Sequence, residues 1–153
     1  MCSRTLALCS VVAALGIMGA ACSSSPGGGR SPSASASGGS GGTITINGDK
    51  ANNHGSRVVS GASSASLDAA NNSSSFFFDP TVLTGKPGQK LTITVKNTGN
   101  TVHNFTLSGG GANKDVQPGQ SAKVTVTFPN SGSMEFYCRF HRSFGMVGEL
   151  TTS

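Results

Sequence analysis

Residues 86–105 read KPGQKLTITVKNTGNTVHNF, and this stretch decides the fold. Lys86-Pro87-Gly88-Gln89 is a turn, and Leu91, Ile93 and Val95 then alternate with Thr92 and Thr94. Strict alternation puts every apolar side chain on one face, so this is a half-buried strand. Asn97-Thr98-Gly99-Asn100 turns again, and residues 102–107 carry the next strand. The pattern continues on both sides. Upstream, Phe76-Phe77-Phe78 stops at Asp79-Pro80; downstream, a glycine loop at 109–111 and a turn at 117–120 lead to the alternating run 122–128. Pro129-Asn130-Ser131-Gly132 turns into 133–138, and 147–151 closes the series. Short half-buried strands parted by Pro, Gly and Asn turns, with no segment of helical period, predict an all-β antiparallel sandwich. KPGQKLTITV and QPGQSAKVTVTF are two similar turn-to-strand passages, since nothing else recurs at that spacing.

The chain has 153 residues, room for one modest domain, and Trp is absent. Val, Ile, Leu and Phe gather after Phe76, whereas Gly, Ser, Ala and Asn dominate before it. The expected domain therefore spans 76–153, preceded by a poorly defined extension over 43–75 with edge strands at 43–46 and 57–59.

Residues 1–21 have the form of a secretory signal peptide: Arg4, an apolar run over 6–18, then Gly19-Ala20-Ala21. That run is too short for a membrane span. Cys22 after two alanines resembles the lipobox of bacterial lipoproteins, although Gly19 stands where that pattern has an aliphatic residue. The resemblance implies an exported protein, lipid-anchored through Cys22 to the outer side of a cell membrane. Residues 22–42 are almost wholly Gly, Ser, Ala and Pro and read as a disordered tether. A flexible coil of about 20 residues has ends ~25 Å apart.

Removing Arg4 with the signal leaves ten basic against six acidic groups, a net charge of +4. These charges are scattered, with no Lys/Arg block, which argues against a nucleic-acid partner. Cys2 and Cys9 leave with the signal, and the lipobox resemblance implies that Cys22 is acylated, ordinary cleavage at the same small residues leaving it a free terminal thiol instead; with Cys22 acylated, Cys138 is the lone thiol of the exported domain. A single thiol in an oxidising compartment needs burial or a ligand.

Residues 136–148, FYCRFHRSFGMVG, place Cys138, His141 and Met146 in a C-x2-H-x4-M spacing where a strand ends and a loop returns. Thiolate, imidazole and a weak thioether point to a blue-copper site, which needs a second imidazole; His103 supplies it from an earlier strand end.

Here the chain resembles the cupredoxins, especially their plastocyanin-like and pseudoazurin-like members. The resemblance rests on KNTGNTVHNF, FYCRFHRSFGMVGEL and FDPTVLTGKPGQKLTITV and covers about 76–151. It implies a Greek-key β-sandwich holding one type 1 copper ion, with His103, His141 and Cys138 as strong ligands and Met146 as the long axial one. It also implies that the backbone amide of Asn104 tunes the cysteine sulfur. Tyr137 would lie beside a route for electrons from the flank. Phe140 and Phe144 would ring His141 where a redox protein docks, flanked by Arg139 and Arg142, which would favour an acidic partner.

The implied function is single-electron shuttling at the cell surface by a monomer, not an enzyme: no second His-rich copper centre and no nucleophile motif accompany the ligands. A lipoprotein that scavenges or delivers copper would use the same residues, and a metal-free adhesion sandwich would not need all four. Singly, His103, Cys138 and Met146 have ordinary readings as strand-end histidine, core thiol and core filler. Met134 reads as packing and His54 as an exposed loop residue.

Overall fold

The computed structural model describes residues 35–37 and 41–153. Strands follow one another as β1 (Ser35–Ser37), β2 (Thr43–Ile46), β3 (Asp49–Asn52), β4 (Ser56–Val58), β5 (Ser64–Asn71), β6 (Phe76–Asp79) and β7 (Val82–Gly85). Then come β8 (Lys90–Asn97), β9 (His103–Leu107), β10 (Asn113–Val116), β11 (Ser121–Thr127), β12 (Ser133–Tyr137) and β13 (Val147–Thr152). A 3-10 turn, Arg142–Phe144, precedes β13. No helix among the described residues is long and apolar enough to cross a membrane.

Two sheets face each other. One runs β1-β4-β7-β13-β12-β9-β10 and the other β11-β8-β5-β6, while β2 and β3 form a separate hairpin. Neighbours that are not consecutive in sequence are the mark of the expected Greek-key sandwich. Pairing is mixed rather than purely antiparallel: β4 with β7, β7 with β13 and β5 with β8 are parallel. The reason is connectivity. Between β4 and β7 the chain crosses to the opposite sheet for β5 and β6, so it returns in the same direction.

The alternation read in β8 is the alternation of burial: Leu91, Ile93 and Val95 are buried and the threonines half-exposed. Val124 and Val126 do the same in β11. At the centre Phe78, Phe105 and Phe136 pack ring against ring, with centroids 5.1–6.3 Å apart. Each such fully buried side chain contributes about 1.5–3 kcal/mol through its removal from water.

The expected boundary at residue 76 divides elements that the sheets join. β5 lies between β8 and β6, in register from Ser64 opposite Thr92 to Asn71 opposite Phe76, so the expected extension over 43–75 contains an inner strand of the sandwich. Of its buried residues only Leu67 is large, Ala69 and Ala70 being small, which is why apolar content concealed it. Strands do form at both expected places, as β2 and β4, but β4 is flanked on both sides, by β1 and β7, and is not an edge. Ser35–Ser37 pairs with β4, inside the stretch expected to be a tether. The expected signal over 1–21 and Cys22 lie outside the described residues.

The β2–β3 hairpin turns at Asn47-Gly48, both with positive φ, 47° and 94°. Asn-Gly tolerates that backbone, and its twist matches that of the flanking strands. The hairpin buries Ile46 and Ala51 against Val147, with Ile44 and Tyr137 packed alongside.

Candidate metal centre

β9 and β12 are antiparallel neighbours, with Tyr137 opposite Thr106, so the start of one strand lies beside the end of the other. That register carries His103, first residue of β9, to Cys138, the residue after β12. The loop from Cys138 to Met146 then folds on itself. The His141 amide donates to the Cys138 carbonyl at 3.0 Å, the Met146 amide to the His141 carbonyl at 3.2 Å, and the Cys138 amide to the Met146 carbonyl at 3.0 Å. Gly145, at φ 86°, closes the 3-10 turn in a left-handed conformation that favours glycine.

One donor atom from each of His103, Cys138 and His141 lies within 4.8 Å of the others. Cys138 Sγ is 3.4 Å from His141 Nδ1, and the Asn104 backbone amide donates to the same sulfur at 3.3 Å. His103, Asn104, Cys138 and Met146 are fully buried, while His141 is half-buried. The implied Asn104 contact with the sulfur is therefore present.

His103 shows the charge state of the pocket. Its Nε2 is 3.3 Å from the Asn71 side-chain oxygen, and an amide oxygen only accepts, so Nε2 carries the proton. Nδ1 is then a buried lone pair, and it has no hydrogen-bond partner. Burial, then the neighbouring His141, pushes the His103 pKa down to about 4. Burial also lowers His141 and raises the Cys138 thiol, the latter against three backbone amides that lower it. Proton binding at this cluster is thus disfavoured on both imidazoles, and the thiolate lacks a compensating positive charge.

Aromatic rings wall the site. Phe76 lies flat against His141, centroids 4.0 Å apart and planes 10° apart, and presents an edge to His103 at 6.3 Å. Phe140 and Phe144 are 40% and 63% exposed beside His141. Phe76 reads in the sequence only as one of three phenylalanines; its partner is 65 positions away, beyond any local pattern.

The flanking arginines are engaged within the molecule. Arg139 pairs with Asp115 and lies over Phe140; Arg142 contacts Asp49 at 2.7 Å and Glu135 at 2.8 Å, and covers the Tyr137 ring at 4.4 Å. Their expected role in favouring an acidic partner is weakened by these carboxylates. Tyr137 is half-buried between Arg142 and the hairpin. His54, expected as an exposed loop residue, is half-buried and stacks on Phe77 at 3.5 Å.

A family model described as a cupredoxin-like domain matches residues 58–152. This chain belongs to the cupredoxin-like family. The cupredoxin is similar to chloroplastic plastocyanin of Oryza sativa subsp. indica, 36% identical over 88 residues that make up 50% of this chain and 54% of that one. It is 34% identical over 86 residues to plastocyanin A/B of Petroselinum crispum, covering 50% of this chain and 87% of the relative. The chain thus spans about half the length of the rice relative. In structure it is similar to dithionite-reduced auracyanin of the photosynthetic bacterium Roseiflexus castenholzii, with TM-score 0.50, 24% identity, and coverage of 60% of this chain and 98% of the other. That likeness supports the fold. The match from residue 58 includes β5, in agreement with the sheet pairing.

The residues fit the family's type 1 copper ion. Two imidazoles and a thiol converge, one imidazole nitrogen is buried without a partner, and a buried thioether follows on the same loop.

Proposed function

We propose that this cupredoxin holds one copper ion through His103, Cys138 and His141, with Met146 as axial ligand, and passes single electrons between redox proteins at the cell surface. The observation that carries the reading is the orphaned, buried Nδ1 of His103, on an imidazole that has a ring nitrogen within 4.8 Å of a buried thiol and a second imidazole. Bound copper would supply one-electron cycling between Cu(II) and Cu(I).

The chain supplies rigidity and access. His103 is fixed through Asn71, and Asn104 holds the sulfur through its backbone amide. The Asn104 side chain donates to Asn113 at 2.9 Å and to Asp115 at 2.7 Å, and accepts from Thr106. Side chains anchored to two strands this way would change little between oxidation states, which would keep reorganisation small. His141 is the ligand nearest solvent. Its exposed neighbours Phe140 and Phe144 favour this edge as the docking face over the Tyr137 flank, which Arg142 and the hairpin cover. The partner is a redox protein, and the carrier acts as a monomer tethered through Cys22.

The same ligands would serve a protein that delivers copper, and kinetics separate the two. The carrier reading predicts millisecond oxidation and reduction by small one-electron reagents, with copper extracted by a chelator only over hours. Rapid extraction combined with sluggish redox cycling would favour copper handling.

A further inference from the structure

The β2–β3 hairpin lies outside the matched residues 58–152, yet it reaches the ligand loop. Asn52, the last residue of β3, makes the connection. Its side-chain Nδ2 donates one hydrogen to the Phe76 carbonyl at 2.9 Å and the other to the Phe144 carbonyl at 2.8 Å. Its backbone amide donates to the Gly145 carbonyl at 2.9 Å. Its own carbonyl accepts from Thr81 Oγ1 at 3.1 Å. A Cβ on Gly145 would stand 2.7 Å from Asn52 Nδ2, so the two segments meet with no room between them. Asp49, on the same strand, holds Arg142 of the loop at 2.7 Å.

One amide group therefore fixes the spacing of the two segments that bear the aromatic walls of His141: the start of β6, whose Phe76 ring lies on the imidazole, and the loop leading to Met146. We propose that Asn52 is a positioning residue for the copper site, through which the amino-terminal hairpin clasps the ligand loop and sets how firmly His141 and Met146 are held. The inference rests on the copper reading above. The clasp acts on the loop with or without metal, so it has a readout of its own.

The test uses the full chain with Asn52→Ala, Asn52→Asp and, as a control at an exposed position of the same strand, Lys50→Ala. In the metal-free protein, amide hydrogen exchange at Phe144, Gly145 and Met146 is expected to speed up about tenfold in Asn52→Ala, the effect of losing about 1.4 kcal/mol from two net hydrogen bonds. Amides paired between β8 and β11 should stay as in the wild type. In the copper-loaded protein, extraction by a chelator should accelerate by a similar factor and the electron-spin-resonance spectrum should shift. Asn52→Asp, which turns acceptor oxygens toward two carbonyls, should exceed Asn52→Ala, and Lys50→Ala should change neither readout. Should Asn52→Ala lower the melting temperature while loop exchange stays at wild-type rates, Asn52 is only structural and the proposal is overturned. If the wild type fails to take up copper, the copper reading falls, and exchange at the three loop amides still decides whether the clasp exists.

Discussion

Asn97→Ala is a demanding probe, because one buried side chain holds the turn that delivers His103. Asn97 ends β8 and is 2% exposed. Its Nδ2 donates to the carbonyls of Thr101 and Val116, both at 2.8 Å, and its Oδ1 accepts from the Gly99 amide at 3.0 Å. Val116 lies opposite His103 in the β9–β10 pair. The side chain thus ties the 98–102 turn to the strand that flanks the histidine. Three hydrogen bonds at about 1 kcal/mol net each make ~3 kcal/mol, and leaving the Val116 carbonyl buried without its donor raises the cost toward ~4 kcal/mol. With a urea dependence of about 1.5 kcal/mol per molar, the unfolding midpoint of the metal-free protein should fall by ~2 M. Asn97→Asp keeps the size and the acceptor but loses both donors, and should be at least as damaging. Urea titrations followed by circular dichroism measure both. Midpoints within ~0.5 M of wild type for either variant would refute the staple.

Gly148→Ala should destabilise by about 3 kcal/mol, measured as a lowered melting temperature, because the added methyl would run into the Phe136 ring and stand 2.6 Å from the Thr81 carbonyl oxygen. The metal-free protein should also lose stability in mild acid. His103 titrates at about 4 in the fold against 6.5 when unfolded, so the unfolded chain binds the proton first. That contribution is complete above pH 6.5 and lost as pH falls toward 4. By pH 4.5 the loss should reach about 2–3 kcal/mol, with His141 acting in the same direction. Urea midpoints at pH 7.5 and 4.5 test it, and His103→Gln should flatten the difference.

The sequence made legible whatever repeats locally. Alternation in β8 and β11, the Pro/Gly turns between strands, and the spacing of Cys138, His141 and Met146 are short-range signals, and each corresponds to an element or a cluster in the structure. The pattern of Cys138, His141 and Met146 could be read because a metal site restricts which residue types can stand there. What stayed hidden depends on distant pairing. β5 buries one leucine and two alanines and gains its place from β8 and β6. Phe76 against His141, Asn71 against His103 and Asn52 against the loop join positions 32 to 92 residues apart. The charges of Arg139 and Arg142 looked available for a partner because Asp115, Asp49 and Glu135 are far from them or carry no local motif.

The central claim is that one buried thiolate and two imidazoles grip a single copper ion. Its most direct test is Cu(II) added in increments to the purified protein and to Cys138→Ser, followed by visible absorption and electron-spin resonance. The wild type should develop an intense visible band from sulfur-to-copper charge transfer, together with a narrow copper hyperfine splitting, both saturating at one equivalent and both missing in Cys138→Ser. A colourless wild type, or the same spectrum from Cys138→Ser, would contradict it.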